Sequence, residues 1–212
     1  MTPRGDGLSK VGLLQLDPTV GDLEQNCLRL ANLAKQAEEA GAVLGVSTEL
    51  AVCGYPPRDL LMEHDFVDRS MKAALSVPTN LPVLVGTPVP AEDDRMLPTN
   101  GVVRAGPPST SITGDEHSRI VAEKQLLPTY DVFDEARYFH PDTRSGIART
   151  IAQLNLGVTV CEYAWQAAEL TPSSYSADPI EHLAEWGRQG VQLDATVNLS
   201  ASPYHAEKIQ TR

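Results

Sequence analysis

Between Lys10 and Gly86 the chain alternates strand, helix, strand, helix, strand, and that order admits few folds. KVGLLQL (Lys10 to Leu16) is a short apolar strand candidate, closed by the turn signals Asp17-Pro18 and Gly21-Asp22. Asp22 then reads as the N-cap of a helix through about Ala40. Leu23, Asn26, Cys27, Leu30, Leu33, Ala34 and Ala37 fall at helical spacing along it, and Gly41 ends it. Ala42 to Val46 forms the second strand, Phe66 to Leu75 the second helix, and Pro82 to Gly86 (PVLVG) the third strand. Strands separated by helices in this way predict a layered α/β fold.

From Asn100 onward the strands come in pairs. Gly101 to Ala105 and Ser118 to Ala122 read as a hairpin with a mobile polar tip from Gly106 to His117. Gly146 to Ala152 and Leu156 to Val160 form a second pair. A helix from about Asp178 to Gln189 follows, with Ile180, Leu183, Ala184 and Trp186 as its apolar side, and Ala195 to Leu199 is the last strand. Residues 1–9 read as a loose leader, so the domain runs from 10 to 212.

With 17 Lys and Arg against 28 Asp and Glu, the net charge of −11 repels both nucleic acid and anionic membranes, so neither is expected as a partner. No apolar run has the length of a membrane span. Cys27, Cys53 and Cys161 stand far apart with no CxxC pair, which favours a reducing, cytoplasmic setting and gives no metal motif.

Three strands run directly into an ionisable residue: Glu49 after Ala42 to Val46, Lys124 after the hairpin's second strand, and Cys161 after LGVTV. Side chains at like ends of neighbouring strands converge even when far apart in sequence. A thiol, a carboxylate to take its proton and an ammonium to steady an oxyanion suit cleavage of a C–N bond through a thioester. The other reading is an ordinary Glu49–Lys124 salt bridge beside a core cysteine, and position alone leaves both open. Cys27, on the apolar helix face, and Cys53, with nothing basic near it in sequence, read as packing.

Longer strings carry a resemblance. QLDPTVGDLEQN (Gln15 to Asn26), ELAVCGYPPRDLL (Glu49 to Leu61), EKQLLPTYDVFDEARYF (Glu123 to Phe139), GVTVCEYAW (Gly157 to Trp165) and NLSASPYHAEK (Asn198 to Lys208) occur in order along the chain. Together they resemble the nitrilase, or carbon–nitrogen hydrolase, superfamily, and within it the glutaminase domain of glutamine-dependent NAD synthetases. The resemblance implies a four-layer α-β-β-α sandwich and L-glutamine as substrate. It implies Glu49 as general base, Cys161 as nucleophile, and Lys124 as oxyanion stabiliser together with the backbone N–H of Glu162. Tyr130, Ser202 and Lys208 match glutamine-contacting positions, Tyr55 would shape the pocket and Glu135 would orient Lys124. Freed ammonia would pass to a partner synthetase domain that uses ATP and Mg to make NAD from nicotinate adenine dinucleotide; no cofactor is implied for the glutaminase domain itself.

The chain also departs from that pattern. Ser47-Thr48 replaces a Phe-Pro pair before the glutamate, which predicts a less rigidly held base. Tyr163 stands where an aspartate is usual, and Glu207 replaces a glycine beside Lys208. Family glutaminase domains continue with further strands beyond the SASPYH segment, so the expected sandwich is truncated at its C-terminal edge and the synthetase domain is absent from these 212 residues. An unfinished sandwich exposes a sheet edge or apolar face and predicts a homo-oligomer. Two further readings stay open: a stand-alone amidase acting on another small amide, and an inactive truncated relative serving as a binding module.

Overall fold

The computed structural model describes residues 8–91, 96–107, 119–129, 133–142, 147–161 and 179–202. Strand β1 spans Lys10–Leu14, helix α1 Leu23–Glu39, β2 Ala42–Ser47, α2 His64–Leu75, β3 Val83–Val89, β4 Thr99–Ala105 and β5 Ile120–Glu123. There follow β6 (Ile147–Ile151), β7 (Leu154–Val160), α3 (Pro179–Arg188) and β8 (Ala195–Leu199). Every strand and helix expected from the sequence is present, most with ends shifted by one to three residues, as is usual for such boundaries.

Five strands form one sheet in the order β1-β2-β3-β4-β5, and three form a second in the order β6-β7-β8. β1, β2 and β3 run parallel, and β4 turns back antiparallel to both β3 and β5. The last strand of that sheet therefore points the same way as the first three. In the smaller sheet β6 opposes β7, and β8 lies parallel to β7. This polarity brings the C-terminal ends of β1, β2 and β5 to one end of the first sheet.

Two apolar cores separate the layers. Leu30, Ala34, Phe66, Val67, Met71 and Ala74 of α1 and α2 pack on Val83, Val85, Val103 and Ala105 of the large sheet. The opposite face of that sheet, with Leu44, Val46, Leu84, Val102 and Val121, meets Leu156, Val158, Val160 and Leu199 of the small one. Each such aliphatic side chain contributes about 1.5–3 kcal/mol of transfer free energy on burial. α3 covers the small sheet's other side, where Leu183 sits against Gly157; a Cβ there would come within 2.9 Å of its Cδ1. The layers are thus α-β-β-α.

α1 starts as its sequence predicts, with the Asp22 carboxylate accepting from the Gln25 N–H at 3.2 Å. Its buried Asn26 donates to the Thr19 and Val52 carbonyls, which ties the β1–α1 loop to the segment after β2. Helix α3 lies where it is expected, but of its expected apolar side Leu183 is buried while Ile180, Ala184 and Trp186 are exposed. Leu13, whose neighbours in β1 alternate between the two sides of the sheet, lies 81% exposed on the face turned toward the small sheet. Residues 108–118, where a mobile hairpin tip is expected, lie outside the described residues, as do leader residues 1–7.

Among the described residues no helix is long and apolar enough to cross a membrane.

Candidate active site

The loop after β2 carries Glu49 across the middle of β3. Gly86 permits this crossing: a Cβ there would stand 2.6 Å from the Leu50 N and the Thr48 O. Ser47, the last residue of β2, accepts the Gly86 N–H through its hydroxyl at 3.0 Å and donates to the Thr48 carbonyl at 2.9 Å. Ser47 is thus tied on both sides by hydrogen bonds, whereas the buried Thr48 hydroxyl has no hydrogen-bond partner among the described residues.

The Glu49 side chain is 1% exposed and fully partnered. Its Oε1 accepts from Asn100 Nδ2 at 2.8 Å and from Lys124 Nζ at 2.9 Å, and its Oε2 accepts the Ala201 N–H at 2.8 Å. Asn100 comes from the start of β4, Lys124 from the end of β5, and Ala201 follows β8. Four strands from both sheets thus meet at one carboxylate.

Lys124 is buried without exposure and lies between two acids, with Glu135 Oε2 at 2.6 Å on its other side. Glu135 in turn accepts from the Tyr55 hydroxyl at 2.8 Å through Oε1. Burial alone would lower the Lys124 pKa. The charges of Glu49, Cys161 and Glu135 outweigh that and hold it above its ordinary value, so the ammonium persists. Burial raises Glu135 most; Lys124 pulls it down, Glu49 pushes it further up, and the result is about 7. The same burial, with the charges of Glu135 and Glu49, pushes the Tyr55 phenol up.

Cys161 follows the last residue of β7. Its φ of 49° places it in the left-handed region, at a cost of about 1–2 kcal/mol for a residue other than glycine. Asn198 of β8 holds its carbonyl through Nδ2 at 3.2 Å. Such strain survives where the surroundings fix it, and it turns a side chain out of the strand at a sharp corner. The thiol is 6% exposed. Burial and then Glu49 push its pKa up, Lys124 draws it back, and the balance lies at about 12. The resting group is therefore a neutral thiol within electrostatic reach of one carboxylate and one ammonium.

Glu49 opens onto a cleft of about 480 Å³, lined by Tyr55 and Phe133 on one side and by Ser200, Ala201 and Ser202 on the other. Of the site residues expected from sequence, Glu49, Lys124, Cys161, Glu135 and Tyr55 form one charged or hydrogen-bonded cluster, and Ser202 lines the cleft it faces. Tyr130, Glu162 and Lys208 lie outside the described residues, as do the departures Tyr163 and Glu207. Sequence reading missed Asn100, Asn198 and the Ala201 N–H. A polar Asn inside an otherwise apolar strand is the available signal for the first two, whereas a backbone donor leaves none. Among the described residues no group of His, Cys, Asp and Glu is placed to hold a metal ion.

No protein-family model matches the chain. Curated relatives do. The glutamine-dependent NAD(+) synthetase of Synechocystis is 37% identical over 207 residues, covering 93% of this chain and 35% of its own length. That of Thermotoga maritima is 35% identical over 202 residues, covering 94% of this chain and 31% of its own length. The chain therefore spans about a third of the length of these relatives. Among solved structures, the glutamine-dependent NAD+ synthetase of Acinetobacter baumannii superposes with a TM-score of 0.72 at 23% identity, over 95% of this chain and 34% of that one. An amidase of the nitrilase superfamily from Nesterenkonia superposes with a TM-score of 0.67 at 19% identity, over 99% of this chain and 71% of that one. The chain is thus a homologue of the glutamine-dependent NAD(+) synthetases over about a third of their length, consistent with their N-terminal nitrilase-like domain, and its fold is that of the nitrilase superfamily.

Proposed function

We propose that the chain hydrolyses the side-chain amide of L-glutamine and supplies ammonia for NAD synthesis. The observation that carries this reading is the buried Glu49–Lys124 ion pair, within electrostatic reach of Cys161, with Glu49 lining a cleft. Glu49 takes the proton of the Cys161 thiol as Sγ attacks the amide carbon. Charge moves from carboxylate to sulfur and on to the amide oxygen without an uncompensated ion being buried. Lys124 has three N–H donors, and among the described residues two are committed, to Glu49 and Glu135. The third is available to the oxyanion, with the Glu162 N–H as the second donor. Collapse of the tetrahedral intermediate breaks the C–N bond, Glu49 returns the proton to the departing amine, and ammonia leaves a γ-glutamyl thioester on Cys161. Water, deprotonated by Glu49, then releases glutamate and restores the thiol.

Tyr130, Ser202 and Lys208 would hold the glutamine, Tyr55 would shape the pocket and Glu135 would orient Lys124. No cofactor enters this half-reaction. The curated relatives' names support glutamine as donor and NAD synthesis as destination. In that route a synthetase domain would use ATP and Mg to amidate nicotinate adenine dinucleotide. A cytoplasmic setting follows from the same reading.

The test is glutamate release from L-glutamine by the chain and by its Cys161→Ala variant: release that vanishes in the variant supports the assignment, and release that persists overturns it. A second reading, an amidase acting on another small amide, is favoured by the likeness to the solved Nesterenkonia amidase, a mutant of which shows Michael addition of acrylamide at its active-site cysteine. Turnover of simple amides with none of glutamine would select it.

A further inference from the structure

The cleft above Glu49 has a charged mouth that the reaction just described does not use. Arg58 and Asp17 both line it, and both are exposed. Among the described residues that line the cleft, Arg58 is the one cation and Asp17 the one acid besides Glu49. Arg58 has no ion-pair partner among the described residues, although its φ of 50° puts it in the left-handed region, a conformation that costs a non-glycine residue about 1–2 kcal/mol.

Both positions are held by structure around them. Arg58 opens a 3-10 turn, Arg58–Met62, that is anchored by the buried Leu61 and by the Tyr138 hydroxyl donating to Asp59 at 2.9 Å. The Asp17 backbone is fixed by Arg29, whose Nη1 donates to its carbonyl at 2.9 Å. An L-α-amino acid whose side-chain amide lies at Glu49 must leave its carboxylate and ammonium groups toward the mouth of the cleft. A guanidinium is the side chain best matched to a carboxylate, since its fork of N–H groups can bond both oxygens. We propose that Arg58 binds the α-carboxylate, and Asp17 the α-ammonium, of the substrate's amino-acid head group. The pair selects an amino-acid amide over a simple aliphatic amide, a role separate from that of Tyr130, Ser202 and Lys208. The inference rests on the glutaminase reading.

Protection of Cys161 from alkylation tests it without requiring turnover. The unaltered chain and the Arg58→Gln, Arg58→Lys and Asp17→Asn variants are treated with iodoacetamide in rising concentrations of L-glutamine or of butyramide, which has no head group. Glutamine is expected to protect the unaltered chain at lower concentration than butyramide does. In Arg58→Gln that preference falls roughly tenfold, the lower end for a hydrogen bond to a charged group, because the side chain stands at an open mouth. Asp17→Asn loses part of it, and Arg58→Lys keeps more than Arg58→Gln. An unchanged preference in Arg58→Gln overturns the inference while leaving the glutaminase reading standing. Failure of glutamine to protect the unaltered chain overturns both.

Discussion

Cys53 and Cys161 are both buried, and neither ionises readily, yet their surroundings differ in kind. Cys53 is fully enclosed, with its Sγ 3.7 Å from the Leu50 carbonyl and 3.5 Å from the Gly54 carbonyl, and burial pushes its pKa far up. Cys161 stands at a strand end in a strained conformation, and burial and Glu49 raise it while Lys124 lowers it. A low resting pKa therefore does not separate the proposed nucleophile from the packing cysteine. Glu49 acts on both thiols, and the difference is Lys124, whose charge acts on Cys161; in the proposed reaction the sulfur loses its proton as it gains a carbon. Among the described residues Cys53 has neighbours that accept a weak hydrogen bond but no cation acting on it to steady a thiolate.

Replacing each thiol in turn is the sharpest way to break this contrast. Cys161→Ala should lower glutamine turnover by about three orders of magnitude or more, the scale of losing a covalent nucleophile. Cys53→Ala should leave turnover largely intact and cost about 1 kcal/mol of stability in a denaturant titration, as core substitutions commonly do. Equal losses in both would erase the distinction.

Lys124→Met comes next. It removes the proposed oxyanion donor, worth roughly 10²–10³ in kcat. It also leaves Glu49 and Glu135 as buried carboxylates without their cation, a loss of about 3–5 kcal/mol when one partner of a buried pair is removed. A stable, active Lys124→Met protein would show that the ion pair is incidental.

A smaller effect follows from Glu135. Its folded pKa of about 7 lies above the ordinary carboxylate value of 4.5, so between these values the folded state holds a proton that the unfolded state has released. Its contribution to stability is present below about pH 4.5 and is lost as pH rises through 7. Tm measured from pH 5 to pH 8 should therefore fall more steeply in the unaltered chain than in Glu135→Gln. Parallel curves would contradict the assignment. The smallest effect concerns the edge of the large sheet. Leu13→Ser should reduce self-association in sedimentation, since it removes an exposed apolar side chain from the open face of β1. A monomer before and after the change would remove the case for an oligomer built on that face.

Much of the fold was legible because its signals are local. β-branched runs marked β3 and β7, Asp22 and Gly41 bounded α1, and the alternation up to Gly86 gave the layered class. The three ionisable groups were legible for the same reason, each standing just past an apolar run. What the sequence hides is non-local. Tyr55 bonds Glu135 from 80 residues away, and Ala201 reaches Glu49 across 152, with nothing in either string to announce the pair. Asn100-Gly101 resembles a turn in sequence, but β4 begins at Thr99, and Asn100 lies buried against Glu49. Trp186 and Ile180 fit an apolar helix face by spacing, yet both lie exposed. The direction of Arg58 depends on one backbone angle that double-proline composition does not specify.

Trapping by hydroxylamine tests whether a γ-glutamyl thioester forms on Cys161. Hydroxylamine added during turnover of L-glutamine competes with water for an acyl-enzyme. γ-Glutamyl hydroxamate should then form in the unaltered chain, in rising proportion to glutamate as hydroxylamine increases, and should be absent with Cys161→Ala. Glutamate produced at an unchanged rate with no hydroxamate, or hydroxamate still formed by Cys161→Ala, would contradict it.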